Sequence, residues 1–196
     1  MKYSLSLSWT WWPANLQRVD ILLNLAKQHQ DESKLLSACA TVLLAATLEQ
    51  AISSKLDCAA LSVAEEGGVS EPYKDLRGKS LRDRVRELPG CLTNGDMEFA
   101  GGSPRARELN KLISYRNWLL HLEEGPVTVS EADPRVTTEV DDCEPKIDIS
   151  GILPKDPWDL VTLNDASKFK DAVKVYVSEV IEPEQIRPGE LVKRIY

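Results

Sequence analysis

Two histidines, His29 and His121, are all the imidazole that this 196-residue chain offers, which leaves little material for a histidine-based metal centre. Its four cysteines, Cys39, Cys58, Cys91 and Cys143, are widely spaced and include no C-x-x-C pair. They read as structural thiols of a reducing cytosol rather than as a zinc site or a disulfide framework, so no metal and no other cofactor is expected. A membrane-length apolar run is also missing. The longest uncharged stretch, LLSACATVLLAATL at 35–48, is interrupted by Ser37, Thr41 and Thr47 and falls short of the roughly 20 residues a spanning helix needs. The first residues, MKYSLSLSWTWWPANLQ, have neither a leucine-rich core nor an A-x-A site, so they make a poor secretory signal and a cytoplasmic location is expected. Net basic charge is absent too: 24 Lys and Arg face 31 Asp and Glu, for −7 overall. That excludes a generic coat for DNA or for an anionic membrane, because such binding runs on net positive surface. No internal repeat or low-complexity array is visible.

What is present is helical periodicity. Pro13 can open a helix on which Leu16, Val19, Leu22, Leu23 and Ala26 recur at helical spacing. After QHQDES, a second helical pattern runs from about 33 to 65. Its first half is apolar nearly all round, as a central helix packed by several neighbours must be. Glu49 adjoins that apolar run, where a carboxylate needs a partner or a solvated edge. Residues 66–78 read as a turn-rich connection, and the short basic helix KSLRDRVREL after them is expected to stop at Pro89-Gly90. A loop with Asn94-Gly95 and Gly101-Gly102 leads into a helix over about 104–122, with Leu109, Leu112, Ile113, Leu119 and Leu120 on its apolar face. The last helix is the cleanest, with Phe169, Ala172, Val173, Tyr176, Val177, Val180 and Ile181 on one stripe and Asn164 or Asp165 as its cap. Between these two helices, residues 123–162 carry prolines at 126, 134, 145, 154 and 157 and short alternating pieces such as VTTEV and KIDIS. The expected fold is therefore all-α: one domain over 1–196, a bundle of four or five helices with a small β or irregular insertion before the last.

Charge is polarised along this order. Residues 74–116 hold ten basic and six acidic side chains, for +4, while 123–148 hold nine acidic and two basic, for −7. The acidic insertion thus carries the whole net charge. Within the basic segment, Lys79, Arg82, Arg86, Arg105 and Lys111 are candidate contacts to a polyanion.

At its end lies ELNKLISYRNWLLHLEE. Asn117 and His121, four apart, share a helix face, and Arg116 stands about 100° round, on or beside the apolar stripe. A guanidinium there needs a carboxylate, a phosphate or a subunit interface, and one such partner within the chain is Glu49. The imidazole of His121 suits acid–base work near neutral pH, although a histidine at a helix end can also simply meet the terminal carbonyls.

This R-N-x-x-x-H segment resembles the R-x(4–6)-H signature of the HEPN superfamily of helical-bundle proteins, with Asn117 in place of the family's usual polar residue after the Arg. The apolar helix ending in TLEQAI resembles the family's second helix with its embedded Glu, here Glu49. The resemblance implies a metal-independent endoribonuclease acting in bacterial defence or stress response, with Arg116, Asn117 and His121 catalytic and Glu49 supporting. It also implies RNA as partner, a homodimer completing the site, and an antitoxin or regulatory protein as a further partner type. A noncatalytic HEPN-like scaffold that binds a nucleotide, RNA or protein is the alternative. Leu122 and Glu123 follow His121, so the H-x-Y extension of the branch paired with nucleotidyltransferase antitoxins is missing.

Overall fold

A computed structural model describes residues 11–120, 137–141, 144–148 and 157–195. Among them the fold is all-α. Helix α1 (Trp12–Gln28) has Pro13 in its first turn, and a 3₁₀ turn, Gln30–Glu32, passes the chain to α2 (Ser33–Glu65). The polar residues that punctuate the apolar run of α2 are all satisfied locally. The hydroxyls of Ser37, Thr41 and Thr47 donate to the carbonyls four residues back, at 2.7, 2.9 and 2.6 Å, so they are buried without cost to the helix's apolar character. By length and composition α2 is long and apolar enough to cross a membrane. Here it is the central helix of the bundle, contacted by α1 and by every later helix described below.

Glycine ends α2. Gly67, at φ +75°, adopts the left-handed conformation, and the Gly68 N–H reaches back to the Val63 carbonyl at 2.8 Å, a Schellman closure. The connection expected after it contains a further short helix, α3 (Glu71–Arg77), anchored by the buried Leu76. Helix α4 (Leu81–Leu92) starts at Ser80, whose hydroxyl accepts from the Asp83 N–H at 3.2 Å. It does not stop at Pro89-Gly90 but runs through them. The reason lies on another helix. Proline has no N–H, so the Val85 carbonyl loses its intrahelical donor, and the fully buried Tyr176 hydroxyl donates to that carbonyl at 3.0 Å instead. The helix ends one turn later, with Asn94 at φ +52° and the Gly95 N–H bonded to the Gly90 carbonyl at 2.9 Å.

Strand β1 (Met97–Phe99) follows and then α5 (Pro104–Leu120), whose first turn is capped by the Ser103 hydroxyl accepting from the Ala106 N–H at 3.1 Å. On α5, Leu109, Leu112, Ile113 and Leu119 are buried as expected, whereas Leu120 is exposed at the helix end. In the expected insertion, β2 (Thr137–Asp141) pairs antiparallel with β3 (Glu144–Asp148), matching Val140 with Pro145. The end of that segment is already helical, as α6 (Pro157–Leu160). Helix α7 (Leu163–Tyr176) is capped not by Asn164 or Asp165 but by Thr162, two positions before Asn164. Thr162 and Asp165 form a reciprocal capping box, and α7 continues into a π turn, Val177–Ile181. All seven residues of the predicted stripe are buried.

The π turn aims Glu179 at the next segment, where its carboxylate accepts from the N–H groups of Glu190, Leu191 and Val192 at 2.7, 2.9 and 3.1 Å. A side chain at Gly189 would overlap that carboxylate. Strand β4 (Val192–Arg194), held this way, pairs antiparallel with β1 through Met97–Arg194 and Phe99–Val192. Nothing in the sequence pattern signals this ribbon.

Tyr176 gives the fold its first test. Tyr176→Phe keeps the ring but leaves the Val85 carbonyl buried without a donor, so about 1–3 kcal/mol of stability should be lost in urea denaturation. A value near zero would mean that the hydroxyl does not substitute for the missing N–H.

Candidate functional site

Helices α2, α4 and α5 meet around Glu49. Its position on α2 is four residues before Ser53, so the carboxylate and that hydroxyl face the same way. Arg84 of α4 reaches both: Nη2 pairs with Glu49 Oε1, and Nη1 donates to Ser53 Oγ at 3.2 Å. Arg84 lies on the face of α4 that also buries Leu81, Val85 and Leu88, and its side chain is only 8% exposed. Its Nε finds no acceptor among the described residues. From α5, Arg116 Nη2 approaches the second oxygen, Glu49 Oε2, at 3.6 Å, and its Nη1 donates to Asn117 Oδ1 at 3.0 Å.

One carboxylate therefore holds two guanidinium groups, one deep and one shallow. Arg84 is the structural member, committed on two sides and buried. Arg116 is 28% exposed, with one arm on Glu49 and one on Asn117. Among the described residues the cluster holds two guanidinium groups on one carboxylate, with Arg116 the more exposed of the two. Planar, always charged and fixed in orientation, such a guanidinium is suited to an anion, above all a phosphate.

The structure brings Arg116, Asn117 and Glu49 together. His121 lies outside the described residues. Arg84 was not among the sequence candidates, because in KSLRDRVREL it reads as one basic residue among several. Its signal was position: it shares a helix face with Leu81, Val85 and Leu88.

Four of the five candidate polyanion contacts have an acidic partner. Lys79 pairs with Glu87 at 2.6 Å, and Arg86 with Asp83 at 2.8 Å and Glu87 at 3.1 Å. Arg105 faces Glu190 at 3.3 Å and Asp171 at 4.0 Å, beside α7 and β4. Lys111 pairs with Glu108 at 3.1 Å on α5. Arg82 has no ion pair among the described residues and instead donates to Ser114 Oγ at 2.8 Å, bridging α4 to α5.

A larger cavity, about 720 Å³, opens between the second half of α2, α3 and residues 184–186, and includes Lys55, Cys58, Tyr73 and Arg194. Burial pushes the Lys55 ammonium below its usual pKa, opposed by nearby Cys58 and Glu184, and its Nζ donates to the Pro183 carbonyl at 2.7 Å. None of the sequence candidates lines it. Of the cysteines, Cys58 is exposed, Cys39 and Cys91 are half-buried, and Cys143 lies outside the described residues. Among the described residues no three His, Cys, Asp or Glu side chains converge.

No family model, curated protein or solved structure matches this chain.

Proposed function

We propose that the chain is a metal-independent endoribonuclease of HEPN type, cytoplasmic and homodimeric, with Arg116 and His121 as its catalytic residues and Asn117 in support. The observation that carries the reading is the state of Arg116: held by Glu49 and Asn117 among the described residues, and 28% exposed. In the proposed reaction His121 takes the proton of a ribose 2′-OH, the 2′ oxygen attacks the adjacent phosphorus, and the bond to the 5′ oxygen breaks as that oxygen takes a proton from water, leaving a 2′,3′-cyclic phosphate and a 5′-hydroxyl. Arg116 neutralises the charge that builds on the phosphoryl oxygens. Glu49 keeps the guanidinium from turning away, and Arg84 keeps Glu49 in place. The homodimer follows from supply: His29 is remote in sequence from this segment, so one chain offers one catalytic imidazole and a two-fold axis offers two.

The test is cleavage of single-stranded RNA by the purified chain in EDTA. His121→Ala should reduce the rate by about 10²–10⁴-fold with an unchanged melting temperature, and a 2′-O-methyl RNA of the same sequence should resist cleavage. An alanine variant as active as the parent would overturn the assignment.

The second reading is a noncatalytic HEPN-like scaffold that binds RNA, a nucleotide or a protein. The Glu49–Arg116 ion pair favours it, because it gives Arg116 an occupation within the bundle that needs no chemistry. Tight RNA binding with no turnover under the same conditions would select it.

A further inference from the structure

Helix α5 buries one side in the bundle and turns a differently built side outward. Arg107, Lys111, Ser114 and Trp118 stand at i, i+4, i+7 and i+11, all exposed, on a stripe about 16 Å long. Ala106, Leu109, Leu112 and Ile113 occupy the opposite side. Arg82 joins the stripe from α4 through its 2.8 Å bond to Ser114. Arg107 and Arg82 form no ion pair among the described residues, and Lys111 has only Glu108, so three cations here face one carboxylate in a chain that is −7 overall.

The far end of the stripe is aromatic. Trp118 is 39% exposed and leans on Tyr115 with ring centres 6.2 Å apart; Tyr115 in turn packs on the fully buried Phe169 of α7 at 5.8 Å. The indole is thus braced from the core outward, with a surface open above a concavity of about 440 Å³ formed with Asn110, Lys111, Ser114 and Tyr115. Trp118 is two positions after Arg116 and so about 160° round the helix from it, which puts the stripe on the side of α5 away from the Arg116–Glu49 contact.

We propose that this outer face of α5 is a track for single-stranded RNA, with a base stacked on Trp118 and the phosphates on either side taken by Arg82, Lys111 and Arg107. The inference rests on RNA as the ligand of the chain, and it names where and how the strand lies. A braced, open aromatic ring at the end of a line of cations fits an unpaired base with its phosphates. An acidic peptide would use the cations and leave the indole idle. Base–aromatic stacking contributes about 1–3 kcal/mol per base, and each cation on a phosphate adds a salt-dependent share.

The probe is a fluorescein-labelled 2′-O-methyl oligouridine, which carries bases and phosphates but no attacking hydroxyl, followed by anisotropy across a salt series. Trp118→Ala should weaken binding about tenfold. Arg107→Ala with Lys111→Ala should lower the slope of log Kd against log salt by about 1.4. Trp11→Ala, which removes a more exposed tryptophan ahead of α1, should leave binding unchanged. All four positions are exposed, so the fold should survive the substitutions, and matching thermal melts would show that it does. If Trp118→Ala binds like the parent, or if polyglutamate displaces the oligonucleotide more effectively than unlabelled RNA does, the track is wrong. The two readings separate cleanly. Binding that depends on Trp118 without any RNA cleavage leaves the track and removes the nuclease. Cleavage of RNA with Kd and KM both unmoved by Trp118→Ala leaves the nuclease and removes the track.

Discussion

Glu49→Ala is expected to cost about 3–5 kcal/mol of folding free energy, the largest single effect at any polar position discussed above. The cause is not the loss of attraction alone. Without Glu49 the Arg84 guanidinium, whose side chain is 8% exposed and whose Nε already lacks an acceptor among the described residues, keeps only the Ser53 hydroxyl. A buried charge left in that state is far more costly than a pair that was never built. At roughly 2–4 °C per kcal/mol for a chain of this size, the melting temperature should fall by on the order of 10 °C. The compensating substitution separates mechanisms: Glu49→Leu combined with Arg84→Met removes both charges and should return most of the stability. Urea denaturation of the three proteins measures this. If Glu49→Ala melts within a degree or two of the parent, the junction of α2, α4 and α5 does not depend on the carboxylate.

The second large effect concerns rate rather than stability. Arg116→Ala should reduce RNA cleavage by about 10²–10³-fold, the usual consequence of removing one preorganised group that stabilises charge in a transition state. Its stability cost should be small, on the order of 0–1 kcal/mol, because the Arg116–Glu49 contact is long and partly solvated and Arg84 still holds Glu49. The contrast with Glu49→Ala is the useful readout: one substitution slows the chemistry at nearly full stability, and the other lowers the stability of the fold. Arg116→Lys keeps the charge but not the planar fork, and should restore only part of the rate. An Arg116→Ala protein with full activity would leave the guanidinium a purely structural role.

Much of the bundle was legible because its signals are local. The apolar run, the QHQDES break before it and the Gly67-Gly68 pair after it set the bounds of α2, and the seven-residue stripe of α7 is buried throughout. The Arg116–Asn117 contact was not legible in this way, since consecutive helix residues point about 100° apart and spacing alone pairs Asn117 with His121. What could not be read depends on distant partners. Pro89 would end an isolated helix, and only the Tyr176 hydroxyl, 87 positions away, makes its place inside α4 tolerable. Three-residue strands such as MEF and VKR are too short for an alternation to show. Arg84 looked like its basic neighbours until α4 was packed, because what distinguishes it is the carboxylate across the junction. The basic segment as a whole overstated its free charge: Lys79, Arg86, Arg105 and Lys111 each have an acidic partner, and the sequence sum counts such pairs without placing them.

The ribbon between β1 and β4 also sets a clock. Met97–Phe99 leaves the ribosome well before Val192–Arg194, the segment it pairs with, and the Glu179 latch on that later segment is made no sooner. At about 5–20 residues per second, that interval is on the order of ten seconds. Through it the Tyr176 hydroxyl is absent as well for most of the time, so α4 must wait with the Val85 carbonyl unsatisfied. The helices from α1 to α5 can collapse early around α2, but their final locking is deferred until the last helix arrives. During synthesis the nascent chain therefore presents an unpaired strand edge beside a half-covered core, the interval in which it is most open to wrong partners and to chaperones.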